Sequence, residues 1–240
     1  MNDLDLTRLE LSLVDFASTW WPEFKYALPT FTQLTHLACK AGRSENGYAD
    51  YEFILQSSVL PALTHLNYAC DPSIEVQYAS HDPLAAVLPQ LRALRLEESV
   101  WHPPYWECCP WATARSLEHL RVVETRSEPE LSRHVFEGNV VRGALQALPG
   151  SLDTLDLATE HDGVVHACEA VLEAFERGWS SVAELKVLRL PTTEALENEE
   201  WSSTEAKVLV LDRVARVAVS RGVRVDRVDV VARFGHALEF

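Results

Sequence analysis

The side chains that come nearest to a chemical constellation in this sequence are its histidines and cysteines. His36 and His65 occupy the third position of the same phrase, Leu-Thr-His-Leu, and His119 stands at the matching position of Leu117-Glu-His-Leu120. Stacked phrases would make His36 and His65 neighbours, and two imidazoles are the beginning of a metal site. A zinc site needs three or four ligands held by supporting hydrogen bonds, and His119 falls two phrases away. The pair is therefore read as exposed histidines in a repeated phrase, and no metal is assigned. Cys108-Cys109 is vicinal, too close for an unstrained disulfide and without the spacer of a redox motif. Cys39, Cys70 and Cys168 share no ligand spacing. The acidic run around Glu197, Glu199 and Glu200 reads as a solvated loop. No Gly-rich phosphate loop, Gly-x-Ser-x-Gly or His-Glu-x-x-His occurs, so no catalytic residue and no cofactor is expected, and the chain is not read as an enzyme.

The segment from Val100 to Trp111 differs from the rest in composition. Pro103, Pro104 and Pro110 exclude a regular helix across it, and Trp101, Tyr105, Trp106 and Trp111 bring a large apolar area. Such rings make good interface anchors on a rim loop. They could equally pack on the core where a helix is missing.

The elements that must position these residues come from an internal repeat. An apolar residue, two variable ones, an apolar residue, one variable and a final apolar one recur as Leu6-Thr-Arg-Leu9-Glu-Leu11, Leu34-Thr-His-Leu37-Ala-Cys39, Leu63-Thr-His-Leu66-Asn-Tyr68, Leu91-Arg-Ala-Leu94-Arg-Leu96 and Leu117-Glu-His-Leu120-Arg-Val122. Later copies begin at Leu152, Leu185 and Val225. Several carry a lead-in such as Leu60-Pro-Ala-Leu63 or Leu88-Pro-Gln-Leu91. Each copy predicts a short strand whose second and third apolar residues face a core while the residues between them face out. Parallel strands need crossovers. Val164, Cys168, Val171, Leu172 and Phe175 form a helical stripe closed by Gly178, and Leu211, Val214, Ala215 and Ala218 form another closed by Gly222 and opened by a Ser202-x-x-Glu205 capping box. Leu13, Phe16, Ala17 and Trp20 predict a third helix ending at Pro22. The stretch 83–90, bracketed by prolines, is short enough for a turn or two only.

The expected fold is α/β: a solenoid of about eight irregular repeats spanning residues 1–240 as one domain, with strands on the inner curve and helices or irregular segments outside. Outward residues then stand in columns. The column before the second ladder residue reads His36, His65, Ala93, His119, Thr154, Val187 and Arg227, and the column after it Ala38, Asn67, Arg95, Arg121, Asp156, Arg189 and Asp229. With Arg92 adjacent, the middle of the face is expected to be basic and its far end acidic, which suits a partner bearing an acidic stretch. Outside that patch, 36 acidic against 21 basic residues give a formal charge of −15, which repels nucleic acid. The N-terminus lacks a signal-peptide pattern and no apolar run has membrane-spanning length. Five cysteines, an odd number, fit free thiols in a reducing cytoplasmic or nuclear compartment.

In these phrases the chain resembles the leucine-rich-repeat family, specifically its ribonuclease-inhibitor-like branch, as in the fungal F-box/LRR-type proteins where Leu-Thr-His-Leu phrases are frequent. The resemblance runs from Leu6 to about Val230. It implies a horseshoe that binds another protein through its concave face, with His36, His65, Asn67, Arg92, Arg95, His119, Arg121, Asp156 and Arg189 as contacts, no nucleic acid and no membrane. It also implies an alternative, the substrate-recognition part of an F-box-type ubiquitin-ligase receptor, for which the F-box, having no room before Leu6, would have to be lost, truncated or supplied by another chain. A hydrolase or metal-dependent enzyme on the same scaffold is a further alternative. The family's Asn or Cys eight positions after the leading leucine is replaced by Gly42, Asp71, Ser99, Thr125, Glu160 and Thr193, so the curvature should be irregular. The apolar strand at the start leaves an edge that an upstream domain covers or another chain pairs with, and Phe234, Leu238 and Phe240 are expected to cap the other end.

Overall fold

The computed structural model describes residues 6–14, 30–41, 60–69, 84–99, 110–125, 136–150, 152–157, 163–192 and 204–228. Eight strands, β1 (Arg8–Val14), β2 (His36–Ala41), β3 (His65–Ala69), β4 (Ala93–Ser99), β5 (His119–Thr125), β6 (Thr154–Asp156), β7 (Val187–Pro191) and β8 (Arg224–Val228), make one sheet. Each strand pairs in parallel with the next in sequence order, from β1 to β8. Three α-helices lie in the described crossovers: α1 (Phe136–Ala147), α2 (Gly163–Arg177) and α3 (Thr204–Ser220).

The repeated phrase sets the register. Leu9, Leu37, Leu66, Leu94, Leu120, Leu155 and Leu188 are partners in turn across the sheet. From Leu37 to Leu188 these leucines are essentially inaccessible, and each contributes roughly 1.5–3 kcal/mol by leaving water. The leading leucines Leu34, Leu63, Leu91, Leu117, Leu152 and Leu185 join them in one apolar cluster. The lead-in is a tight turn: the amides of Leu34, Leu63, Leu91, Leu117 and Leu185 donate to the carbonyls of Phe31, Leu60, Leu88, Ala114 and Val182, three residues earlier. Leu148-Pro-Gly-Ser-Leu152 is one residue longer, and there the Leu152 amide donates instead to the Ser181 carbonyl of the following repeat. Ser181 is fully buried and its hydroxyl donates to the Leu145 carbonyl. One serine thus serves both the irregular turn and the carbonyl of Leu145 in the last turn of α1.

The strands enter the sheet through a second backbone device. The Thr7 carbonyl accepts from the amides of Thr35 and His36, the Thr35 carbonyl from Thr64 and His65, and the Thr64 carbonyl from Arg92 and Ala93. The same double acceptance recurs at Arg92, Glu118 and Asp153. From β1 to β7 each repeat thereby clasps the next at the same point, before the ladder bonds begin; at β8 the Lys186 carbonyl accepts from Arg224, while the Val223 amide closes α3.

The stripe of α2 (Val164, Cys168, Val171, Leu172, Phe175) and that of α3 (Leu211, Val214, Ala218) are buried as expected, Ala215 only partly. Both helices end in the same way: Gly178 and Gly222 have φ of 67° and 81°. The amides beyond them, Trp179 and Val223, reach back to Ala174 and Ala218, a closure that favours glycine. Arg142 of α1 binds Glu173 of α2 at 3.0 Å, and Arg213 of α3 binds Glu176 of α2 at 3.3 Å. Residues 84–90 form a turn and a short 3-10 helix, as the prolines require.

Three expectations change. Helix α1 has no counterpart in the sequence reading, although Val140, Val141, Ala144 and Leu145 make a buried stripe; Gly138 and Gly143 lower its helix propensity, and packing on α2 and the neighbouring 3-10 turn compensates. Leu13 and Val14 belong to β1 rather than to a helix, because pairing with β2 extends the strand; Phe16, Ala17, Trp20 and Pro22 lie outside the described residues. In the last strand Val225, not Val228, aligns with Leu188, three residues earlier than the phrase suggested. Ser202 of the capping box, the aromatic residues Trp101, Tyr105 and Trp106, the residues at 42, 71, 160 and 193, and the C-terminal Phe234, Leu238 and Phe240 lie outside the described residues.

Candidate binding face

With one face of the sheet committed to the leucines, the residues between them line the other face. The register gives two columns across it: Arg8, His36, His65, Ala93, His119, Thr154, Val187, Arg224, and Glu10, Ala38, Asn67, Arg95, Arg121, Asp156, Arg189, Asp226. Arg224 and Asp226 take the places expected for Arg227 and Asp229, a consequence of the shifted last strand. Arg227 falls instead opposite Leu190 and reaches Asp212 of α3 at 2.8 Å, so an ion pair stands where earlier strands place a ladder residue.

In the N-terminal part of the face, beside Arg8 and Glu10 of β1, threonines and histidines bond to the backbone and to one another. The Thr35 hydroxyl donates its one proton to the Thr7 carbonyl at 3.1 Å and lies 2.8 Å from Nδ1 of His36. Thr64 does the same with the Thr35 carbonyl and His65 Nδ1. A hydroxyl has a single proton, so both histidines donate from Nδ1 and keep a lone pair on Nε2. The rings stack with centroids 4.0 Å apart and planes 14° from parallel. Burial first, and then the Arg8 charge, lowers the pKa of His36. His65 is pushed down to about 4 by burial, and then by the charges of His36, Arg92, His119 and Arg8. Among the described residues no group of three His, Cys, Asp or Glu side chains could hold a metal ion.

Further along, the face is ionic. Arg92 binds Glu118 through Nε and Nη2 with contacts down to 2.8 Å, and Lys186 binds Asp153 at 2.9 Å; both pairs occupy the position just before the columns. Arg224 meets Asp226 at 3.1 Å. Asp156, only 4% exposed, has Arg189 Nη1 at 3.5 Å and Arg121 Nε at 4.0 Å. Leu94, Arg95, His119, Leu120, Arg121, Thr154, Asp156 and Arg189 line a depression centred there. The pKa of His119 is lowered chiefly by burial, with Glu118 and Asp153 opposing and Arg189 and Arg92 assisting, which keeps its ring neutral near pH 7.

The anticipated face residues are thus gathered on one surface, but the expected division into a basic middle and an acidic end is not what the structure shows. Neighbouring strands lie about 4.8 Å apart, so opposite charges at adjacent register positions pair. Arg92 is matched by Glu118, and the acidic end is interleaved with Lys186, Arg189 and Arg224. Asp153 was expected at the acidic end of the face, but Glu118 and Lys186 were absent from the sequence reading, although their position, one after each leading leucine, was legible in the phrase. Trp111 is 2% exposed and packs within the core beside Gly143 of α1. It is a core anchor rather than a rim contact, since the 3-10 turn at Trp111–Thr113 turns its ring inward. Cys168 is a buried free thiol on α2. No described helix is long and apolar enough to cross a membrane. Comparison with known proteins returned no matching family model, curated protein or solved structure.

Proposed function

We propose that the chain is a leucine-rich-repeat solenoid of the ribonuclease-inhibitor-like kind, and that it acts as a protein-interaction module rather than an enzyme. Its partner lies across the face lined by His36, His65, Asn67, Arg95, His119, Arg121, Asp156 and Arg189. The observation that carries this reading is the unbroken register from β1 to β8. It leaves one face of the sheet as an ordered array of polar and charged side chains while the leucines occupy the other. In a repeat architecture each unit contacts only its neighbours, and the strand columns opposite the core form an extended recognition surface; here Asn67, Arg95 and Asp156 are buried within it, while Arg92 and Lys186 are exposed and His36, His65, His119 and Arg189 half-buried. The crossover helices, by contrast, expend their apolar stripes on the core.

The test is site-specific photocrosslinking in the native cell. A benzophenone amino acid is placed at Arg92, His119 or Lys186 on the open face, and at Glu176, Arg213 or Arg216 on the helices, all of them partly or fully exposed. The expected outcome is a shared protein adduct from the face positions and none from the helices. Adducts confined to the helix positions would remove the face from consideration.

A further inference from the structure

We infer that the outer edge of β1 is a docking surface for a second copy of this chain, which adds its own β1 in antiparallel fashion about a two-fold axis at Leu9. The inference concerns the edge of the sheet and is independent of the partner proposed for its open face.

The two edges of the sheet are built differently. Among the described residues β1 and β8 each have a single neighbouring strand. At β8 the position opposite Leu190 is taken by Arg227, whose guanidinium is held by Asp212 of α3 at 2.8 Å. A charge on the core side is one of the ways in which a sheet protects its edge from adding strands. β1 has Leu9 at its core-facing position, and it runs over seven residues against five for β8. Leu9 packs on the core but is only half-buried, whereas Leu37, Leu66, Leu94 and Leu120 behind it are inaccessible. The ladder thus ends on a leucine that one more strand would cover.

Backbone geometry fixes the register of that strand. The Thr7 carbonyl is turned to β2, where it accepts from Thr35 and His36. Hydrogen-bonding groups alternate in direction along a strand, so those of Leu9 also face β2 and those of Arg8 and Glu10 face outward. A copy related by a two-fold axis at Leu9 sets Arg8 opposite the partner's Glu10, and Glu10 opposite the partner's Arg8. Each such pair exchanges two backbone hydrogen bonds. Each also brings a guanidinium to a carboxylate on the open face, since directly opposite residues share a side of the sheet. Arg8 needs no release from its other contacts, because a guanidinium has donors for more than one acceptor.

Charge disfavours the other way of joining copies. Arg8 and Arg224 stand in one column of the face, and Glu10 and Asp226 in the other. A head-to-tail stack, β1 of one copy parallel to β8 of the next, would continue those columns. It would set arginine on arginine and carboxylate on carboxylate, which destabilises. Antiparallel pairing at β1 instead closes after two copies and leaves both open faces on one side of a continuous sheet.

The experiment is sedimentation equilibrium of the full chain. One added strand pair is a small interface, so a reversible dimer should fill in between about 1 and about 300 µM protein, its mass rising from 27.0 kDa to twice that value and no further. Arg8→Glu and Glu10→Arg each oppose like charges twice across the axis, and each should weaken association about tenfold or more. Mixing the two variants should restore association to the wild-type level, because every charge then meets its opposite, a recovery that no surface elsewhere on the molecule predicts. Both positions are exposed, and thermal melts show that each variant is folded at the assay temperature; if one is not, the other alone decides. A monomer throughout the range, association unaltered in the single variants, no recovery on mixing, or growth beyond a dimer would each overturn the inference while leaving the open face as the site for another protein.

Discussion

Strands β1–β3 and strands β5–β7 use the same backbone clasp and the same inward leucines, yet they fill the open face with different chemistry. In the first region hydroxyls, imidazoles and carbonyls satisfy one another: each threonine serves both the preceding repeat and its own histidine, and the histidines are held neutral. In the second, guanidinium, ammonium and carboxylate groups at the same register positions pair across strands. The shared core tolerates either, because the period-two alternation of a strand separates what stabilises the sheet from what decorates it. The first region bonds its threonines and histidines to the backbone and to one another, whereas the second sets charge against charge across strands.

The comparison breaks most severely if the common core is struck. Leu94→Asp, between the two regions, should cost more than about 4 kcal/mol, because it removes a buried leucine and leaves a charge without compensation. Chemical denaturation followed by circular dichroism should find the whole array unfolded. Retention of a cooperative melt at the wild-type temperature would show that the regions do not share one core.

A smaller effect separates them. Asp156→Asn leaves Arg121 and Arg189 facing each other without their counter-ion, and should destabilise by roughly 1–3 kcal/mol. Thr64→Val on the neutral side should cost only about 0.5–1.5 kcal/mol for its shared hydroxyl. Equal losses in urea titrations would erase the distinction.

Acid should act on the neutral region first. The folded pKa of His65, about 4, and the lowered value of His36 lie below the 6.5 of an unconstrained imidazole. As pH falls below about 6.5 the unfolded chain therefore binds more protons than the folded one, and stability declines until the folded pKa is reached near 4. Because the rings are partly exposed, the loss should be on the order of 1 kcal/mol. A His65→Gln variant should show a flatter dependence of melting temperature on pH between 7 and 4; an unchanged slope would place the titration elsewhere.

The smallest effect is expected at the exposed pair Arg92–Glu118. Exchanging the two residues, as Arg92→Glu with Glu118→Arg, should leave the melting temperature nearly unchanged, because water screens an exposed pair, and a clear drop in a thermal melt would mean that the pair orients the strand entry.

Much of this was legible in the order of residues. The spacing of Leu37, Leu66, Leu94 and Leu120 placed four neighbouring strands in register, since a strand that buries one face admits no one-residue slip. The stripes of α2 and α3 and their closing glycines were equally plain, because helical period and positive φ are local properties. Local pattern failed where a choice depended on distant residues. The phrase at Val225-Asp-Arg-Val228 offers two equivalent alignments, and pairing with β7, together with the reach of Arg227 to Asp212, selects the earlier one. Trp111 was ambiguous between rim and core until α1 supplied a surface for it. Ser181 gives no sign in the sequence that it completes a turn formed some thirty residues earlier.

The linear pattern alone determined that leucines at repeat spacing build parallel strands with one committed and one uncommitted face, since burial and strand alternation are read within a few residues. Only tertiary structure decided which charges on the uncommitted face meet, because a Coulomb contact depends on strand-to-strand register and side-chain reach, which bring together residues far apart along the chain.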